Sequence, residues 1–369
     1  FSQDGESASR VEEIRFADGT VWDVATVKAM IVLGTSGNDT LTGFSGADNL
    51  FGYGGTDTLW ARAGNDYLDG GPGTDTLQGG EGDDVLYGGT GNDTLYGASG
   101  NDTYRFGSGD GNDAINNGDA SVGRRDVVEF TGGLTPAAIS ATRSGDNLVL
   151  RIAATGEALT VNGYFTQDGA SDSSVDEIRF ADGTVWDIAA VKAVVTQGTA
   201  SGDTLYGYAT DDVLSGLAGN DTLRGGLGND TLDGGPGTDT LYGEQGDDIY
   251  LFGRGDGVDT VRNATNSQAT DIDAVWFKED VNPEDILLQR SYASTSDDDL
   301  QLSIIGTTSD RLILDNYFTA TSSGLVDRIE FADGTMWTEA YIRARLIAGT
   351  ELPDSLRGYQ TSDTIDGLA

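Results

Sequence analysis

Residues 88–107 read GGTGNDTLYGASGNDTYRFG, two blocks of nine and the opening of a third segment. Each block holds one large apolar residue in its eighth place, Leu95 and then Tyr104, and an aspartate two places earlier, Asp93 and Asp102. Glycine loses more freedom on ordering than any other residue, and aspartates brought close together repel. A chain written this way needs stabilisation from outside the polypeptide, and a positive ion is the natural source.

Composition points the same way. The 369 residues carry 61 acidic against 21 basic side chains, a formal charge of −40, with 55 glycines and a hydrophobic share of 37%. So negative a surface repels nucleic acid and anionic membranes and attracts cations. Low hydrophobicity at this charge predicts disorder unless counter-charge arrives. With no Cys and no His, thiol nucleophiles, Ser-His-Asp chemistry, disulfides and imidazole metal sites are all excluded, and hard oxygen ligands remain. The sequence contains no apolar run long enough to span a membrane, and its first residues, FSQDGESASR, do not read as a signal peptide.

The nines extend in both directions from the quoted stretch. From Gly34 they run through eight registers to Arg105, and a second array of six runs from Gly198 to Leu251. A third begins at Gly349 with GTELPDSLR and GYQTSDTID. The segments between also match one another: residues 1–29, 165–193 and 318–344 share the core pattern of IRFADGTVWD followed by a helix-like run. This predicts a linker end over 1–33, arrays over 34–105 and 198–251, β-rich linker domains over 106–197 and 252–348, and the start of a further array over 349–369. The chain reads as a piece of a longer tandem protein.

Within each register a short strand x-Leu-x turns one side chain inward, and the glycine-rich hexad before it forms a turn. Two such units make one coil of a flattened parallel solenoid. Asp39, Asp57, Asp75 and Asp93 then stack along one edge, and Asp48, Asp66, Asp84 and Asp102 along the other. In the second array the edges are Asp203, Asp221, Asp239 and Asp212, Asp230, Asp248; Asp354 and Asp363 hold the same place in the third. Stacked strands lie about 4.8 Å apart, where two carboxylates repel by about 3.5 kcal/mol at an effective dielectric near 20. A divalent cation between them reverses the sign, and irregular oxygen geometry suits Ca²⁺ better than Mg²⁺.

The nonapeptide GGxGxDxUx resembles the RTX (repeats-in-toxin, haemolysin-type calcium-binding) repeat. The resemblance implies an all-β-dominated fold in which calcium-binding parallel β-rolls alternate with small β-rich linker domains carrying a short C-terminal helix. It makes the sixteen aspartates named above the side-chain ligands, with about six ions in the first array and four in the second, about ten in all. Turns that depart from the pattern, at Ala61-Arg62, Ser201-Gly202 and Thr210-Asp211, are expected to bind weakly or sit at array ends. The intervening segments resemble the haemolysin-type calcium-binding protein related domain. In them Asp18-Gly19, Asp182-Gly183 and Asp333-Gly334 suit two-residue hairpin turns, and Asp187 or Thr338 can cap the helix that follows. Thr135-Pro136 and Asn282-Pro283 read as a cap followed by a first-turn proline.

Several sharper readings lose to plainer ones. Arg254-Gly255-Asp256 spells an integrin ligand, but the equivalent slot is Ser108-Gly109-Asp110, so a turn or calcium role fits better. The NDT triplets at Asn38, Asn92, Asn101, Asn220 and Asn229 match a glycosylation acceptor, yet the register already demands them. Trp22, Trp186 and Trp337 suit packing at a hairpin edge better than sugar stacking. The carboxylates follow a strict period with no odd pair out, so no active site is expected. The resemblance implies a calcium-binding structural or adhesive region of a large secreted or cell-surface bacterial protein. By that resemblance it is exported unfolded through a type I channel and folds in extracellular calcium. The alternative is the C-terminal secretion and folding region of a toxin or secreted enzyme. Other copies of the chain and cell-surface glycans are the further partners considered.

Overall fold

A computed structural model describes residues 11–169, 171–262, 271–291, 298–318 and 326–347, in two compact units that meet in sequence between Val194 and Val195. The expected array at 349–369, with Asp354 and Asp363, lies outside the described residues. In the first unit, registers one coil apart pair in parallel with a step of eighteen residues: Leu41 lies beside Leu59 and Leu50 beside Leu68. Odd registers build one sheet and even registers another, as a two-register coil requires. The single inward residue of each register has nowhere to go but the gap between the sheets. Leu50, Leu59, Leu68, Leu77, Leu86 and Leu95 are all fully buried there.

The connecting segment lengthens both sheets. On the odd side, Asn112–Ile115 pairs in parallel with Thr94–Ser99, and Ala158–Val161 pairs in parallel with Asn112–Ile115. Antiparallel strands Asn147–Ile152 and Ile139–Ser144 then end an eight-stranded sheet. On the even side, Val127–Phe130 and Glu177–Arg179 continue the parallel stack beyond Thr103–Phe106, and antiparallel Val185–Asp187 ends a seven-stranded sheet. The second unit repeats this plan with sheets of seven and six strands. One apolar cluster runs there from Leu205 through Tyr250 and Phe277 to Ile342. The parallel β-roll and the short helices Val24–Ile31, Ile188–Val195 and Glu339–Ile347 agree with the expected fold class.

The tyrosines that replace leucine at the end of each array do more than fill space. Tyr104 is fully buried; its hydroxyl accepts from the Gly97 N–H at 2.9 Å and donates to Asn117 Oδ1 at 2.9 Å. The helix caps fall where expected: Asp187 Oδ1 accepts from the Ala190 N–H at 2.8 Å, and Thr338 Oγ1 from the Tyr341 N–H at 3.4 Å. The prolines begin only short 3₁₀ turns, Pro136–Ala138 and Pro283–Asp285. The Asp-Gly hairpins differ from expectation, because their loops have three residues. Phe16 N–H donates to Thr20 O and Gly19 N–H to Phe16 O. Asp18 Oδ1 accepts from the Thr20 N–H at 2.9 Å, which closes the turn with only Gly19 at positive φ.

Position two of the register adopts a left-handed backbone in the interior coils even where it is not glycine, as at Tyr53, Arg62, Ala98, Leu217 and Glu244. Arg62 is exposed at φ 84°, a conformation that burdens an L-residue by about 1–2 kcal/mol. Arg62→Gly should therefore stabilise the full chain by about 0.5–1 kcal/mol after the greater unfolded-state freedom of glycine is subtracted. A thermal or urea melt showing no gain would refute the strain.

Candidate metal centres

In-register stacking places position six of each coil over position six of the coil before. The carboxylate uses that geometry. Asp57 Oδ1 accepts the Asp39 N–H at 2.7 Å, Asp75 Oδ1 that of Asp57 at 2.7 Å, and Asp93 Oδ1 that of Asp75 at 2.7 Å. The other edge repeats the pattern from Asp48 through Asp66 and Asp84 to Asp102 at 2.7–2.9 Å. In the second unit the ladders run from Asp203 through Asp221 to Asp239 and from Asp212 through Asp230 to Asp248. The fourteen sequence-derived aspartates within the described residues thus form four ladders, with one carboxylate oxygen of each later rung tied to backbone.

The second oxygen behaves differently along the ladder. In the first rungs it folds back on its own turn: Asp39 Oδ2 accepts the Thr35 N–H at 2.6 Å and Asp48 Oδ2 the Phe44 N–H at 2.5 Å. From the second rung on, Oδ2 of Asp57, Asp66, Asp75, Asp84, Asp93 and Asp102 is buried without a hydrogen-bond partner, as is that of Asp221, Asp230, Asp239 and Asp248. In every register but that of Asp66, where Ala61 stands, a glycine at position one makes room for it. A Cβ on Gly52 would lie 2.5 Å from Asp57 Oδ2 and 2.5 Å from the Gly70 carbonyl oxygen, so side-chain and backbone oxygens crowd the same small space.

Buried, unpartnered carboxylate oxygens among carbonyls are the donor set of a hard divalent cation. Among the described residues no three acidic side chains converge on one point, so an ion here would draw on the aspartates of adjacent rungs together with backbone carbonyls. Calcium would supply the counter-charge that the interior lacks.

That lack of counter-charge is visible in acidity. Burial, reinforced by the charge of neighbouring rungs, raises Asp66, Asp75 and Asp93 to about 6 and Asp84 and Asp102 to about 7. In the second unit burial raises Asp239, Asp230 rises to about 7 and Asp248 to about 8.

Sequence reasoning missed two features. Position five makes a ladder of its own, in which Asn38 Oδ1 accepts the Thr56 N–H at 2.9 Å and Asn220 Oδ1 that of Thr238 at 3.1 Å; this gives the NDT triplets a structural role. The aspartate ladders also run past the nonapeptides, to Asp113, Asp126 and Asp176 in the first unit and to Asp259, Asp273 and Asp327 in the second. The GDGND and GDGVD segments carried the signal for Asp113 and Asp259. The others follow loops of irregular length and left none. Asp256 is buried, accepts the Gly253 N–H at 2.6 Å and pairs with Lys278 Nζ at 3.0 Å, so the RGD tripeptide does not present its carboxylate.

A carboxyl with a folded value above the unfolded one, near 3.8, holds its proton more tightly in the fold. Its burden on the metal-free roll is absent below the unfolded value, grows as pH rises, and is complete above the folded value. The chelator-treated chain should therefore hold more β structure, and melt higher where it is folded, near about pH 5 than near about pH 8, while still above its pI of 4.1. Melting that is flat or opposite in slope would count against the buried ladder.

Comparison with known proteins agrees with the ladders. Residues 33–68, 42–77, 69–104, 197–232 and 224–259 match the RTX calcium-binding nonapeptide repeat (4 copies). Residues 1–26, 147–190 and 299–341 match the haemolysin-type calcium binding protein related domain. The chain is 41% identical over 90 residues to the iron-regulated protein FrpA of Neisseria meningitidis serogroup C; the match covers 24% of this chain and 8% of that protein. Among solved structures it is similar to the extracellular lipase LipA of Serratia marcescens, with 20% identity, 80% of this chain and 38% of that one covered, and a TM-score of 0.27. It is also similar to the AlgE6R3 subunit of the Azotobacter vinelandii mannuronan C5-epimerase, with 26% identity, 40% and 81% covered, and a TM-score of 0.25. At such scores neither likeness bears on the chemistry of this chain. Residues 33–104 and 197–259 thus belong to the RTX calcium-binding nonapeptide repeats, and residues 1–26, 147–190 and 299–341 to the haemolysin-type calcium binding protein related domain.

Proposed function

We propose that the chain is a structural and adhesive repeat region of a large secreted or cell-surface bacterial protein, and that it folds as calcium binds after export. The observation that carries this reading is the set of buried Oδ2 atoms without a partner, in ladders that run along both edges of each roll. Without metal, ionised rungs set like charges about 4.8 Å apart in a poorly hydrated turn. Calcium between rungs turns that repulsion into a link from coil to coil, and binding energy becomes folding energy. Calcium-poor cytosol would keep the chain open for export, and a calcium-rich exterior would close it. Among the described residues no helix is long and apolar enough to cross a membrane. The reading assigns a binding and scaffolding role, with the aspartates from Asp39 to Asp102 and from Asp203 to Asp248 as ligands and no catalysis.

Circular dichroism of the metal-stripped full chain during a calcium titration, with magnesium as control, tests it. The expected result is a cooperative gain of β signal with calcium alone. An unchanged spectrum, already β-rich in chelator at neutral pH, would remove calcium from the folding step.

A further inference from the structure

The connecting segments open with SGDGNDAIN at 108–116 and RGDGVDTVR at 254–262. Each has glycine in place four, aspartate in place six and an apolar residue in place eight. Each starts two residues later than the array before it would dictate, since those arrays end at Arg105 and Leu251.

The structure makes both segments full turns of the roll. Gly111 bridges Gly91 in parallel as Gly73 bridges Gly55, and Gly257 bridges Gly237 in the same way. The Asn112 N–H donates to Asn92 Oδ1 at 3.0 Å, continuing the position-five ladder. Ile115 pairs with Leu95 and Val261 with Leu241, both inside the core. Asp113 Oδ1 accepts the Asp93 N–H at 2.9 Å and Asp259 Oδ1 that of Asp239 at 3.0 Å. Both aspartates are buried, and the Oδ2 of each has no hydrogen-bond partner. The charges acting on Asp113 are Asp93, Asp110 and Glu157, and those on Asp259 are Asp239 and Asp256. All are acidic.

The neighbouring edge ends otherwise. Asp126 Oδ2 accepts from Arg124 Nη1 at 2.5 Å and from Asn117 Nδ2 at 2.7 Å, and Arg124 also reaches Asp176 at 3.2 Å. There the chain supplies its own cation. At Asp113 and Asp259 the same rung geometry is left with a bare buried oxygen.

We propose that Asp93 with Asp113, and Asp239 with Asp259, the last residue of the nonapeptide match, each hold one divalent cation beyond those between the fourteen aspartates read from the register, and that Arg124 stands in for such an ion at Asp126. The proposal rests on the calcium reading above and extends it into the connecting segments.

Native mass spectrometry of the calcium-loaded full chain tests it. Asp113→Asn and Asp259→Asn should each lose one ion relative to wild type, and Asp126→Asn should lose none. A wild-type chain that binds no calcium sinks the calcium reading itself. A wild-type chain that binds calcium while Asp113→Asn and Asp259→Asn keep the full complement overturns only the added rungs, and loss of an ion in Asp126→Asn overturns the role of Arg124. Should a variant fail to fold, calcium anomalous scattering from crystals of the unmodified chain decides. Peaks are expected about 2.3–2.6 Å from both Oδ2 atoms; peaks at the array rungs with none at Asp113 or Asp259 would refute the proposal.

Discussion

Everything in this protein depends on one hydrogen bond, the backbone N–H of a position-six residue given to the carboxylate one coil further on. It satisfies a donor that the turn would otherwise orphan. It also fixes register, because a coil that slipped by one residue would lose its aspartate rung and turn its leucine outward together. The same bond commits only Oδ1, so a charged Oδ2 is trapped beside the next carbonyl. The composition follows from there. Glycine at position one leaves room for that oxygen in all but one of the registers, where Ala61 stands, a single leucine suffices for a core two sheets thick, and the surplus acid leaves buried oxygens that a cation or a proton would neutralise.

How much could be read in advance follows from how local each feature is. Leucine and aspartate recur every nine residues, and strand stacking repeats every two registers, so the paired sheets and the ladder members from Asp39 to Asp102 were legible without coordinates. Position two was not, because Tyr53, Arg62 and Ala98 share a left-handed backbone that no common side-chain chemistry announces. The hairpin loop length escaped for a related reason: Asp18-Gly19 signals a turn, but the bond from Thr20 N–H back to Asp18 decides that three residues lie in it. The caps at Asp187 and Thr338 could be read, since a cap depends on residues three apart.

The continuation of the ladders was hidden by spacing alone. Asp93 finds its next rung after twenty residues and Asp102 after twenty-four, where earlier steps were eighteen. The step from Asp126 to Asp176 takes fifty. A periodic search stops at the first of these breaks, yet sheet hydrogen bonding requires only that the strand return to the same edge, whatever the chain does outside. The connecting segment is thus an interrupted coil that keeps the register of the roll while spending extra residues on loops and on the antiparallel strands that end each sheet.

Ladders built this way have a direction, and the two ends are unequal. The first rung has no carboxylate duty to an earlier coil, so Asp39 and Asp48 bend Oδ2 onto their own turns. The rungs that follow, as far as Asp113 and Asp126, are buried. Asp66 and Asp75 rise to about 6 and Asp113 to about 8, with burial the first cause in each, and the facing pair Asp239 and Asp259 is raised as well. Where the nonapeptides stop, Arg124 pairs with the rung at Asp126, and Lys278 lies between Asp233 and Asp256, beside the ladders. Along the edge that ends at Asp126 and Asp176 a loop brings an arginine back to the carboxylates, whereas the Oδ2 atoms of Asp113 and Asp259 meet no such partner and are left for another source of positive charge.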